Sequence, residues 1–164
     1  MRRLLLLVAA CACHGTLASG QPGLSRDAAP LTRLATSNAS FTVFSGFSDS
    51  ARIIVRDSAA WGETWRTIHR PFIPPPPVPA VDFSREMVIV AALGARPSEG
   101  YEIVFENVRE DTAGIEVDVR VTEPARGCPV AAAMTQPVDL ARIAASARAV
   151  RFRQRNVVVP CGVR

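Results

Sequence analysis

Hydrophobic and polar positions alternate most strictly in "GIEVDVRVTE", where Ile115, Val117, Val119 and Val121 face Glu116, Asp118, Arg120 and Thr122. A period of two belongs to a strand with one face in a core and the other in water. The preceding run "GYEIVFENVRE" puts Tyr101, Ile103 and Phe105 on one face, and "EDTAG" between the two is a turn. Together they predict an antiparallel hairpin. Near the end, "VRFRQRNVVV" alternates Val150 and Phe152 with Arg151, Arg153 and Arg155. This arginine row is expected on the solvent face near Glu116 and Asp118, as a salt-bridged surface. "EMVIVAALG" breaks the alternation by being apolar almost throughout, which predicts a central strand covered on both faces.

A different period appears in "RDSAAWGETWRTIHRPF". Trp61, Trp65 and Ile68 fall at i, i+4 and i+7, Asp57 or Ser58 can cap the start, and Pro71 stops the run. The spacing predicts one helix over 58–69 whose tryptophans pack it onto a sheet. "PFIPPPPVPAVDF" follows with six prolines between positions 71 and 79, an extended crossover in polyproline-like conformation. "SFTVFSGF" and "ARIIVRD" predict a hairpin or two consecutive strands. In "TQPVDLARIAASARA" the apolar positions Val138, Ala141, Ala145 and Ala149, or Leu140 and Ala144, suit a helical stripe, so pattern alone favours a helix. Residues 21–39 are small, polar and without periodicity and are expected to form a flexible tether, with one domain over 40–164.

The first residues, "MRRLLLLVAACACHGTLASGQP", have the layout of a bacterial export signal: two arginines, an apolar run and a small, polar end. Two processing routes fit. "VAAC" resembles a lipobox in which Cys11 is lipidated, leaving 1–10 as the signal, whereas Ala18-Ser19-Gly20 before Gln21 resembles an ordinary cleavage site, leaving 1–20. The expected location is therefore exported: the cell envelope by a lipid anchor, or the periplasm or medium. An oxidising compartment favours disulfides, and Cys128 and Cys161 are the two cysteines beyond this leader. Bridging their 33-residue separation would restrict the unfolded chain by about 3.7 kcal/mol on the chain-entropy account.

Charge and chemistry narrow the functional classes. The formal charge of +4 falls to +2 without Arg2 and Arg3, too mild for a nucleic-acid surface, and every basic residue is an arginine. Catalysis by nucleophile and base needs converging groups, and beyond the leader there is a single histidine, His69, at the end of the predicted helix where a cation suits the dipole. Glu102, Glu106, Glu116 and Asp118 occupy strand positions that face water, and "REDTAG" is a weak candidate for calcium. No nucleotide, hydrolase or zinc-protease motif is present. The chain is expected to be no enzyme and to take no cofactor or metal.

"AVDFSREMVIVAALGARPSEGYEI" resembles the PrcB family, exported bacterial proteins named for an accessory subunit of a surface subtilisin-like protease complex. The resemblance runs from about Phe41 to Cys161 and includes "FSGFSD", "RIIVRDSAAWGETW", Asp82 and Phe83, "ARPSEGY" and "QPVDLARI". It implies a strand rather than a helix for the last of these, and no catalytic residues. The family pattern has the form P-[ST]-G-G-Y, and Glu99 stands where the first glycine would be. Either the turn differs, or that glycine was never left-handed. A fainter similarity ties "RPSEGYEI" to the loop N-P-T-T-G-[YF]-x-W of chagasin-like cysteine-protease inhibitors, with Arg96 for the asparagine and Ile103 for the tryptophan. Arg70-Pro71-Phe72 is similar to a partner loop but precedes the turn. The expected fold is mainly β: an antiparallel β-sandwich, with an immunoglobulin-like form among the options, of six to eight mostly antiparallel strands and one helix. Pro97, Ser98, Glu99, Gly100 and Tyr101 form the candidate contact loop, since sandwiches meet partners through end loops. The expected role is a non-catalytic interaction domain with a protein partner, a protease among the candidates, and with no nucleic acid and no membrane contact beyond a lipid anchor.

Overall fold

A computed structural model of the chain describes residues 28–34 and 43–162. The expected export signal and the lipidation candidate Cys11 lie outside the described residues. Strand β3 (Glu86–Ala92) organises the rest, because its side chains are buried on both faces as its unbroken apolar run predicts. Met87, Ile89 and Ala91 enter one core, while Val88, Val90 and Ala92 enter another. Around it lie β1 (Thr32–Arg33), β2 (Ala51–Val55), α1 (Ser58–Ile68), β4 (Glu102–Asp111), β5 (Gly114–Pro124), β6 (Val138–Ala144) and β7 (Val150–Val159).

Two sheets result, one of order β1-β6-β3-β2 and one of order β4-β5-β7. They share the first core, to which β4 and β5 contribute Ile103, Phe105, Val108, Ile115, Val117, Val119 and Val121. The second core lies between the four-stranded sheet and α1, so the layers run helix, sheet, sheet. All pairings are antiparallel except β5 with β7, which is parallel from Ile115↔Val150 to Pro124↔Val159. The chain visits the other sheet as β6 between these strands, so β7 returns in the direction of β5.

Helix α1 forms as its pattern predicts. The Asp57 carboxylate caps it by accepting from the Ala60 amide at 2.8 Å, and Trp61, Trp65 and Ile68 are buried. Each indole then finds an acceptor in the proline-rich crossover, Trp61 Nε1 donating to the Pro79 carbonyl and Trp65 Nε1 to the Pro76 carbonyl, both at 2.9 Å. The three-residue spacing of those carbonyls suits a polyproline-type turn. The crossover is thereby strapped along the helix.

Two expectations are corrected. Residues 28–34 belong to the fold and not to a tether: Thr32 and Arg33 pair with Arg142 and Ala141, Ala28 bridges to Arg109, and Leu31 and Leu34 pack on the two cores. Only two of these residues join a ladder, too few to show a period. Val43–Ser50 contains no strand, because the Ser45 amide and hydroxyl donate to the Gln136 carbonyl and the Gly46 amide donates to Ile68 at the end of α1. The segment 138–144 is strand β6, the strand expected from the family resemblance in preference to the local helical pattern. Val138 and Leu140 face the helix side and Ala141 and Ile143 lie in the core between the sheets, so the burial on both faces that suppresses alternation also imitates a helical stripe.

Candidate protein-contact groove

The turn after β3 is held by its own backbone and by the segment ahead of β6. Arg96 exchanges both main-chain bonds with Thr135, at 2.8 and 3.0 Å, the Thr135 hydroxyl donates to the Ser98 carbonyl at 3.0 Å, and the Glu99 amide donates to Ala131 at 3.0 Å. Gly100 has φ of 90°, a conformation open to glycine. No residue other than glycine has a positive φ among the described residues, so Glu99 sits in ordinary backbone and the position demands no glycine. Tyr101 is half-buried, packs against the core between the sheets and has the Arg96 guanidinium 5.9 Å from its ring centre.

Cys128 and Cys161 form the expected disulfide, with their Cα atoms 5.1 Å apart. It joins the segment after β5 to the end of β7, where the Ala125 amide also donates to the Val159 carbonyl at 3.0 Å. This bridge and the turn meet. Glu99, Gly100 and Tyr101, the segment from Cys128 to Ala131, and Val159 to Gly162 line one open groove of about 890 Å³, floored by Glu102, Arg120, Thr122 and Pro124. Of the contact loop named from sequence, Pro97 and Ser98 are not among the lining residues. Arg120, Thr122, Pro124, Pro129, Val130 and Val159 were missed, and the one signal that could have found their neighbourhood is the cysteine pair.

The groove combines an apolar wall with a polar strip. Its walls include Tyr101, Pro124, Pro129, Val130, Val159 and the disulfide, with Val130 38% exposed. Its cation is committed: Arg120 donates to Glu102 and Glu106, each at 3.1 Å, and to the Thr122 hydroxyl at 2.5 Å. An apolar wall beside a satisfied polar strip suits the side chains and main chain of a protein segment.

The other singled-out residues lie elsewhere. Arg109 donates to Asp118 at 2.5 and 2.8 Å and to Glu116 at 2.7 Å, and these hydrogen bonds hold both carboxyls below their usual range. Arg153 and Arg155 reach Glu116 and Glu106, completing the salt-bridged face. His69 does not serve as a cation at the helix end. It is buried, its Nδ1 lies 2.9 Å from the Trp65 carbonyl, its ring lies 3.9 Å from that of Trp65, and burial pushes its pKa down. Asp139, which no pattern marked, lies buried in β6 where its carboxylate accepts from the Phe105 amide of β4 at 2.8 Å. Burial raises its pKa against the opposing pull of that bond. Among the described residues no group of three or more His, Cys, Asp or Glu is placed to hold a metal ion, and no helix is long and apolar enough to cross a membrane.

Residues 87–144 match the model of the family described as PrcB C-terminal. No curated protein and no solved structure matches the chain. The matched span runs from β3 to β6 and contains the turn, the β4–β5 hairpin, the groove floor and Cys128, while α1 and β7 lie outside it. Residues 87–144, which form the middle of both sheets and most of the groove, are therefore the part of the chain that is similar to the PrcB C-terminal family.

Proposed function

We propose that the protein is an exported, non-catalytic interaction domain, an accessory to an envelope protease complex, which contacts its partner through the groove around Tyr101 and the disulfide. The observation that carries this reading is the convergence of three segments distant in sequence, 99–101, 128–131 and 159–162, on one open groove with an apolar wall. A disulfide there keeps the site rigid and suits an oxidising compartment. The family match supplies the protease context. The polar groups of the groove are bonded to one another, which supports contact over chemistry.

The test is capture from envelope extracts with the purified domain, followed by assay of whatever protease is recovered. Recovery of an active protease is the expected result. A recovered protease that is blocked would point to inhibition by the chagasin-like turn. Capture of no protease would remove both readings and leave a structural protein of the envelope.

A further inference from the structure

Strand β7 carries a row of backbone groups that no other described residue uses. It pairs with β5 along its whole length, and among the described residues it has no neighbour on the other side. The Ile115 amide donates to the Ala149 carbonyl at 2.9 Å and the Ala125 amide to the Val159 carbonyl at 3.0 Å. Bonds in a parallel ladder recur at every second residue, so the odd-numbered residues of β7 serve β5. The even-numbered ones, Val150, Phe152, Gln154, Asn156 and Val158, turn their N–H and C=O outward. Ten residues is long for an edge strand, which proteins usually shorten or cover. Strand β2 approaches through the Arg52 side chain, which donates to Gln154 Oε1 at 2.5 Å, and a cleft of about 300 Å³ lies between them.

Cations flank this edge on both sides. Arg151, Arg153 and Arg155 form the outer row, and the side chains of Arg153 and Arg155 remain 66% and 57% exposed despite their ion pairs. Arg151 has no carboxylate partner among the described residues, and Arg52 lines the inner cleft. A second copy of β7 in antiparallel register would set arginine row beside arginine row, which like-charge repulsion disfavours. An incoming strand with carboxylates at alternate positions meets the same row favourably.

We propose that the free edge of β7 accepts an extended acidic segment of a partner protein as an added strand, its main chain bonding at Phe152, Gln154 and Asn156 and its carboxylates facing Arg151, Arg153 and Arg155. Strand addition of this kind draws affinity from the main chain and selectivity from alternate side chains. Of the residues of β7 only Val159, which is not part of this site, lines the groove, so the site stands independently of it.

The test uses end-capped eight-residue peptides of alternating Glu and Val, with Gln–Val, Lys–Val and alternately N-methylated Glu–Val peptides beside them, and reads binding to the full chain by fluorescence anisotropy. The Glu–Val peptide is expected to bind more tightly than the other three, and less tightly as salt rises. Gln154→Pro removes an outward amide that β5 does not use, and should weaken binding roughly 2–13-fold, the range for one hydrogen bond. Arg151→Glu with Arg153→Glu should weaken it further. Equal binding of the Gln–Val or Lys–Val peptide would overturn the acidic selectivity, and equal binding of the N-methylated peptide to the unaltered protein would overturn strand addition, even if Gln154→Pro fails to fold. Absence of Glu–Val binding would overturn the proposal outright. None of these results touches the groove, which is tested by protease capture.

Discussion

The Asp139 carboxylate accepts the Phe105 amide across the seam between the sheets and Arg33 donates to the Phe105 carbonyl, so two side chains satisfy the β4 backbone where its register shifts between Phe105 and Asn107. A buried amide without an acceptor costs about 1–3 kcal/mol. Asp139→Ala should therefore lower stability by about that amount in denaturant unfolding, and Asp139→Asn, which keeps an acceptor oxygen, should recover most of it. Equal losses in the two variants would show that the hydrogen bond is not what matters. His69 has the opposite kind of consequence. Its pKa is depressed by burial, so below pH ~6.5 the unfolded chain takes up a proton that the folded chain resists. Stability should fall as pH drops from about 7 through that value, and His69→Phe should flatten this part of the profile. An unchanged slope between pH 7 and 5.5 would contradict the assignment. Neither residue was legible as such, because a lone buried side chain leaves no period and its partners lie 4 and 34 residues away.

Amphipathic elements were legible from how differently their two faces are solvated, and β3 from its unbroken apolar run. Strand β5 showed itself because Val117 and Val119 are buried while Glu116 and Asp118 are ion-paired on the outer face. Strand β6 did not, since both its faces are covered and Asp139 and Arg142 break its apolar run, and β1 did not, since its two paired residues make no pattern. Helix α1 was plain from Trp61, Trp65 and Ile68, although nothing in the spacing announced that the indoles would hold the proline-rich crossover. The disulfide was legible by elimination, and its partners tie the end of β7 to the groove wall. Replacing both Cys128 and Cys161 with serine should lower unfolding stability by about 3.7 kcal/mol on the chain-entropy account and make the 125–131 segment the first site of proteolysis. Loss of stability without that local cleavage would mean that the bridge does not order the groove wall.

At the scale of the whole molecule, the helix and its strap cover one face of the four-stranded sheet, and the three-stranded sheet covers the other. The outer face of the three-stranded sheet remains, with its ion-paired charges and the groove. The groove could not be seen in the sequence, because its walls come from segments about 30 residues apart that only the fold brings together. The proposed export would depend on the N-terminal segment, whose two expected processing routes predict different behaviour. If Cys11 is lipidated, Cys11→Ser should release the protein from membranes into the soluble fraction, and continued membrane association would exclude that route. The central claim is that the groove holds the protein partner. Val130 projects into it with little structural duty, being 38% exposed, so Val130→Glu should leave the melting temperature unchanged. Side-by-side capture from envelope extracts with the unaltered and Val130→Glu domains tests the claim most directly. The account predicts that the variant loses the protease while remaining folded, and undiminished recovery by the folded variant would contradict it.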